Sequence, residues 1–184
     1  TSIFAPNGPP IWRPSWSMRR GVGTPLLRPK RLRIFVSLKH MADQTGLRLV
    51  LFRLGTLVCA APAAGVREVI PAGSPIRVPG ASRSVSGLLN VRGTLLTVVS
   101  GSRVIGLAES EEPPESVLVL DRNGRSIGLA VDEVLDLVEV QSDQLEDGEA
   151  LPGIDPRLVR QVGHHGGRVF AVLDIEALVM PLLG

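Results

Sequence analysis

An all-β fold is predicted by three observations. Short apolar runs are separated by four tight turns, Gly55-Thr56, Arg92-Gly93, Asn123-Gly124 and Gly166-Gly167, and glycine supplies the positive φ that such hairpins require. Several of these runs alternate with the two-residue period of a strand. Apolar residues make up 44% of the chain but aromatics only 3%, with no Tyr. The core must then be built from Leu, Val, Ile and Ala, which suits strands better than an aromatic-lined ligand pocket.

Taken in order, strands are expected at 47–54 and 57–61, at 85–91 and 94–99, at 116–122 and 125–131, and at 159–165 and 168–173. Ile127, Leu129 and Val131 share one face of their strand, while Gly128 and Ala130 occupy the other with little bulk. Val169, Ala171 and Leu173 alternate with Phe170 and Val172, so both faces of that strand are expected to be buried. The acidic run 109–115, with Pro113 and Pro114, is a joint between halves of roughly five strands each. Only two helices are expected. One is short, at 102–107. The other is C-terminal, at 174–182, capped by Asp174, with Ile175, Leu178, Val179 and Leu182 at helical spacing and Pro181 shortening it. Residues 148–153 and the Asp155-Pro156 turn form a loop before the last hairpin.

The net charge of +2 hides a division. Residues 1–40 hold eight basic residues and no acid, whereas 41–184 hold twelve arginines against eighteen acids, a net of −6. The overall basicity therefore describes neither part and does not point to nucleic acid. Three readings of the 1–40 arm stay open. It is an upstream extension that is not native protein, with Met41 as the start, or a disordered tail, or a functional segment for nucleic acid, lipid or targeting. No run of eighteen apolar residues and no secretory leader pattern occurs, and Cys59 is the single cysteine. Those features predict a soluble cytoplasmic protein without disulfides.

The residues for catalysis are scarce. The chain has no Gly-x-Ser-x-Gly elbow, no phosphate-binding Gly-x-x-x-x-Gly-Lys loop and no His-Glu-x-x-His. The body has no Lys, and its only histidines are the adjacent His164 and His165, whose side chains leave a strand on opposite faces and do not share a metal readily. Asp132 and Glu133 are expected on a turn facing water, and Cys59 reads as a small core hydrophobe.

Gly87-Leu88-Leu89-Asn90-Val91-Arg92-Gly93, followed by Leu95-Leu96-Thr97-Val98-Val99, resembles the central signature of the CheW-like domain family. Ala63-Ala64-Gly65-Val66-Arg67-Glu68-Val69-Ile70 resembles the strand before the family's Pro-rich loop. Residues 131–140 resemble a strand pair of its second barrel, and Gly153-Ile154-Asp155-Pro156 with 166–178 resembles its ending. Thr97 stands where the family usually has Pro, and Ser100 where it usually has Asp. The Pro-to-Thr difference restores a backbone donor and changes stability by at most about 1 kcal/mol.

The resemblance implies two small five-stranded SH3-like barrels packed together with a short C-terminal helix. The first barrel would span about 47–108, the joint 109–115, the second barrel about 116–173 and the helix 174–182. It implies a non-enzymatic adaptor in the cytoplasm, recruited to membrane receptor arrays. Its partners would be a chemotaxis-type histidine kinase, through that kinase's own CheW-like regulatory domain, and the cytoplasmic tips of methyl-accepting chemoreceptors. Neither cofactor, metal, nucleic acid nor membrane insertion is expected. Arg92 is the leading contact residue, since five donors at a hairpin tip can grip a carboxylate at two points. Asn90 and Gly93 are expected to build the turn. Val66, Val69 and Ile70 would wall a groove for a receptor helix, with Arg67 and Glu68 at its edge. Two alternatives remain: the same module in a pilus, surface-motility or other non-flagellar chemosensory pathway, and a basic-tailed protein binding nucleic acid or a membrane surface.

Overall fold

The computed structural model describes residues 46–122, 124–148 and 154–182. The basic arm, Asn123 and most of the 148–153 loop lie outside the described residues. Along the chain run β1 (Leu47–Leu54), β2 (Leu57–Pro62), β3 (Val66–Pro71), β4 (Val85–Val91), β5 (Thr94–Ser100), α1 (Gly101–Ile105), β6 (Ser116–Arg122) and β7 (Arg125–Val131). There follow β8 (Glu133–Val140), β9 (Leu145–Asp147), β10 (Val159–His165), β11 (Arg168–Leu173) and α2 (Ile175–Val179). The strands expected from hairpin spacing appear with ends displaced by no more than one residue. Glycine is the reason: Gly55, Gly93, Gly124, Gly166 and Gly167 all take positive φ and end their strands sharply.

The strands form a six-stranded sheet in the order β8-β1-β2-β11-β10-β9 and a five-stranded sheet in the order β3-β6-β7-β5-β4. Both sheets differ from expectation in composition. One has a sixth strand, because the three-residue β9 pairs with β10 through Gln161, Val162 and Gly163. The sheets also do not divide at the 109–115 joint. The five-stranded sheet takes β3 to β7, straddling the joint, while β1 and β2 join the C-terminal strands. The cause is long-range pairing: β1 runs antiparallel to β8, and β2 parallel to β11 at Cys59–Ala171 and Ala60–Val172. In the other sheet β5 runs parallel to β7 from Thr97–Ile127 to Ser100–Ala130.

Period-two alternation then distributes the apolar residues among three cores. Val50, Phe52, Leu54, Cys59, Ala61, Ala171 and Leu173 of the six-stranded sheet meet Leu118, Leu120, Ile127, Leu129 and Val131 of the five-stranded one. The opposite face of the larger sheet packs Leu49, Leu51, Val138, Val140, Phe170 and Val172 together. That of the smaller packs Ile70, Leu96, Val98, Val117 and Val119. β11 contributes Ala171 and Leu173 to one of these cores and Phe170 and Val172 to another, as its two-sided apolar pattern predicts, but Val169, expected to be buried with them, is 55% exposed beside the hairpin turn.

Asp132, expected to face water, is instead largely covered, with 12% of its side chain exposed. Its Oδ2 accepts the Gly55 N–H at 2.7 Å, and its own N–H donates to the Arg53 carbonyl, so it pins the β1–β2 turn to the β7–β8 corner. Gly101 lets α1 lie against the sheets, because a Cβ there would fall 2.7 Å from both the Ala130 carbonyl oxygen and Leu54. Ser100, where the family usually has Asp, caps α1 by accepting the Arg103 N–H. Asp174 caps α2, accepting the N–H groups of Glu176 and Ala177 at 2.9 and 3.1 Å.

Candidate protein-binding site

The β4–β5 hairpin turns through Arg92 and Gly93, with φ of 52° and 85°. Two successive positive φ values define the primed turn whose twist suits a hairpin, and Gly occupies one of them without strain. Arg92 occupies the other. Among the described residues it is the one non-glycine in the left-handed region, a conformation that costs an L-residue about 1–2 kcal/mol. Asn90 offsets part of that strain: its Oδ1 accepts the Gly93 N–H at 2.8 Å across the turn. Gly87 has a different task from Gly93. It lies at a bulge between Val85 and Gly87, and a Cβ on it would fall 2.4 Å from the Ile76 carbonyl oxygen. That space lets Ile76 exchange two 2.8 Å backbone bonds with Leu88.

The Arg92 side chain is 74% exposed, and its guanidinium lies 3.4 Å from Glu68 on β3. Since β3 and β4 are the two edges of the five-stranded sheet, this ion pair reaches from one edge strand to the turn that ends the other. Glu68 is much less exposed, at 17% of its side chain, and its second oxygen faces Arg67 at 3.1 Å. Arg67 donates to the Ser126 hydroxyl at 2.8 Å and lies 4.0 Å from Asp121. A charged row therefore runs Asp121, Arg67, Glu68, Arg92, with alternating sign from β6 through β3 to the turn.

The other candidates divide. Val66 and Ile70 are buried, Val66 in the core between the sheets and Ile70 in that of the five-stranded sheet. They have little surface to offer as groove walls, whereas Val69 is half-buried. A bulge between Val66 and Glu68 shifts the alternation of β3, so that Val66, beside Leu120, enters the core between the sheets and Ile70, beside Val117, enters the core on the opposite face. Two exposed apolar residues were not singled out from the sequence: Ile76, 73% exposed, and Leu95, 64% exposed. Leu95 stands opposite Asn90, and Ile76 opposite Leu88. The alternation of Leu95 against the buried Leu96 and Val98 was the signal that could have revealed it.

Cys59 is fully covered, and burial pushes its thiol up to about 12. It stays protonated and packs as a hydrophobe. His164 and His165 are exposed and pair with Val169 and Arg168 across β10–β11. Among the described residues no three His, Cys, Asp or Glu side chains come together to hold a metal. No helix among them is long and apolar enough to cross a membrane.

Two small packed sheets with a charged turn at an exposed rim define a compact all-β module. Comparison with known proteins places it. Residues 48–180 match the CheW-like domain, and the chain belongs to that family, whose scaffolding proteins are non-enzymatic. It is similar to the chemotaxis protein CheW of Rhizobium meliloti (strain 1021), at 28% identity over 76% of this chain and 91% of that protein. Its likeness to the chemotaxis protein CheW of Bacillus subtilis (strain 168) is 22% identity over 74% and 88%. The fold also matches the crystal structure of the scaffolding protein TtCheW from Thermoanaerobacter tengcongensis. That match has a TM-score of 0.66 and 19% identity, covering 72% of this chain and 92% of that one.

Proposed function

We propose that the chain is the adaptor that couples chemoreceptor tips to a chemotaxis-type histidine kinase, and that the Arg92 turn touches a partner. Arg92 carries the reading: a strained, 74% exposed arginine is held at a rim where Gly or Asn would be easier to accommodate. A charged guanidinium so placed suits a partner carboxylate, which it can grip at two points. Asn90 and Gly93 serve the contact by shaping the turn, and Arg67, Glu68 and Val69 border it. The adaptor itself carries out no reaction; it acts by holding receptor and kinase in one assembly, so that the state of one biases the other. Working inside the cell at the receptor array belongs to the same reading.

Affinity capture with the full chain from its native host tests the proposal. The parent is expected to recover a histidine kinase together with receptors. Arg92→Ala is expected to lose most of one or both while melting within a few degrees of the parent. Unchanged capture by Arg92→Ala would remove the recognition role, and recovery of neither partner would remove the coupling function.

A further inference from the structure

A groove of about 1080 Å³ opens between two irregular segments, the one joining β3 to β4 and the one joining α1 to β6. The segments are tied to each other near both ends. The Ala72 N–H donates to the Glu115 carbonyl at 3.1 Å. Arg103 donates to the Arg83 carbonyl at 2.7 Å and pairs with Glu109, so it crosses from one segment to the other. Between these ties the floor is formed by Val98, Val117 and Ala130 with two serines, Ser100 and Ser102. Ser102 is only 4% exposed, yet its hydroxyl has no hydrogen-bond partner among the described residues and opens on the groove. The walls carry opposite charges. Arg77 and Arg83 on the first segment, and Glu111 and Glu112 on the second, are exposed and have no ion pair among the described residues. The remaining charges of the groove are committed: Arg103 and Glu109 pair with each other, and Asp132 is held by Arg53 and the Gly55 N–H.

We infer that this groove binds a short peptide with free ends, its terminal carboxylate against Arg77 and Arg83 and its terminal ammonium against Glu111 and Glu112. A pair of cations on one wall and a pair of anions on the other suit a ligand that is itself dipolar. A simple anion would meet the glutamates, and a simple cation the arginines. Ser102 and Ser100 supply hydroxyls that both donate and accept, as the peptide groups between the two ends require. An Asp at position 100, as the family usually has, would instead set a carboxylate on that floor. The volume lies at the upper end of ordinary small-ligand sites, which suits several residues rather than one. Arg92 does not line the groove, so this binding stands apart from the recognition proposed for the β4–β5 turn.

Titration of the full chain with trialanine, followed by amide NMR, tests this, with thermal melting recorded for each variant. Exposed charges and one hydroxyl set the expected affinity in the millimolar range. Shifts are expected at Arg83, Ser100, Ser102 and Glu112. Trialanine amide lacks the carboxylate and N-acetyl-trialanine lacks the ammonium, and each is expected to bind about threefold more weakly. Arg77→Gln combined with Arg83→Gln should abolish the preference for trialanine over its amide. Glu111→Gln combined with Glu112→Gln should likewise abolish the preference over the acetylated form. Ser102→Ala is expected to weaken trialanine by about fivefold at an unchanged melting temperature. No shift in the groove, or equal binding of the free and blocked peptides, overturns the proposal. So does a preference that survives the charge variants, which would put the peptide ends elsewhere, and so does an unaltered affinity in Ser102→Ala, which would leave the floor untouched.

Discussion

At the scale of single residues, the two glycines flanking the signature do unlike things. Gly93 answers a dihedral requirement, at φ 85° with no atom near its missing Cβ. Gly87 answers a steric one as well, with the Ile76 carbonyl in the way. Gly93→Val is therefore expected to lower stability by about 1–3 kcal/mol through backbone strain, read as a shift of the urea midpoint. Gly87→Ala should in addition break the Ile76–Leu88 bridge, visible as faster amide exchange at those two positions. Cys59 gives a pH-linked expectation. Its folded pKa, near 12, lies above the ordinary 9.0, so its contribution to stability is complete below about pH 9 and is lost as pH rises from there towards 12. A thiol reagent at pH 8 should find no reactive group until the protein is unfolded. The sequence made the turn role of Asn90 and Gly93 readable because turn chemistry is local. The pairing of Arg92 with Glu68 was not, since it joins residues on opposite edges of a sheet and no local pattern encodes it.

Among the elements, legibility followed length and punctuation. Hairpins bounded by glycine could be delimited to within a residue, whereas β9 could not. It has three residues, Leu145–Asp147, too few to show a period, and exists only because β10 offers an edge. The C-terminal helix was half readable: Asp174 caps it as expected, but regular α-helix stops at Val179 and a 3-10 turn covers Met180–Leu182, where Pro181 supplies no amide donor. Asp174→Ala is expected to cost about 1–2 kcal/mol, since it removes two cap bonds and the 3.5 Å contact with Arg160. Thermal melting compared with Asp174→Asn, which retains an accepting oxygen, would separate the cap from the charge: a loss for Asn as large as for Ala assigns the effect to the charge.

For the molecule as a whole, the number of sheets was predictable and their membership was not. Turns report where strands end, but which strand pairs with which is decided by burial between residues far apart in the chain, from Thr97 with Ile127 to Cys59 with Ala171. β1 with β8, β2 with β11, β3 with β6 and β5 with β7 all join residues on opposite sides of the 109–115 joint. A protease site placed within that exposed, irregular segment should therefore be cut without separating the pieces, and native gel filtration should show them eluting together at the parent's volume. Separate elution of the two pieces would contradict the interleaving. The same topology means that neither piece owns a complete sheet. A gene divided at the joint would encode two chains, each with four strands that lack a partner. Produced together, they should reassemble into a scaffold that exists only where both are expressed, which makes the joint a place to build a coincidence detector for two promoters.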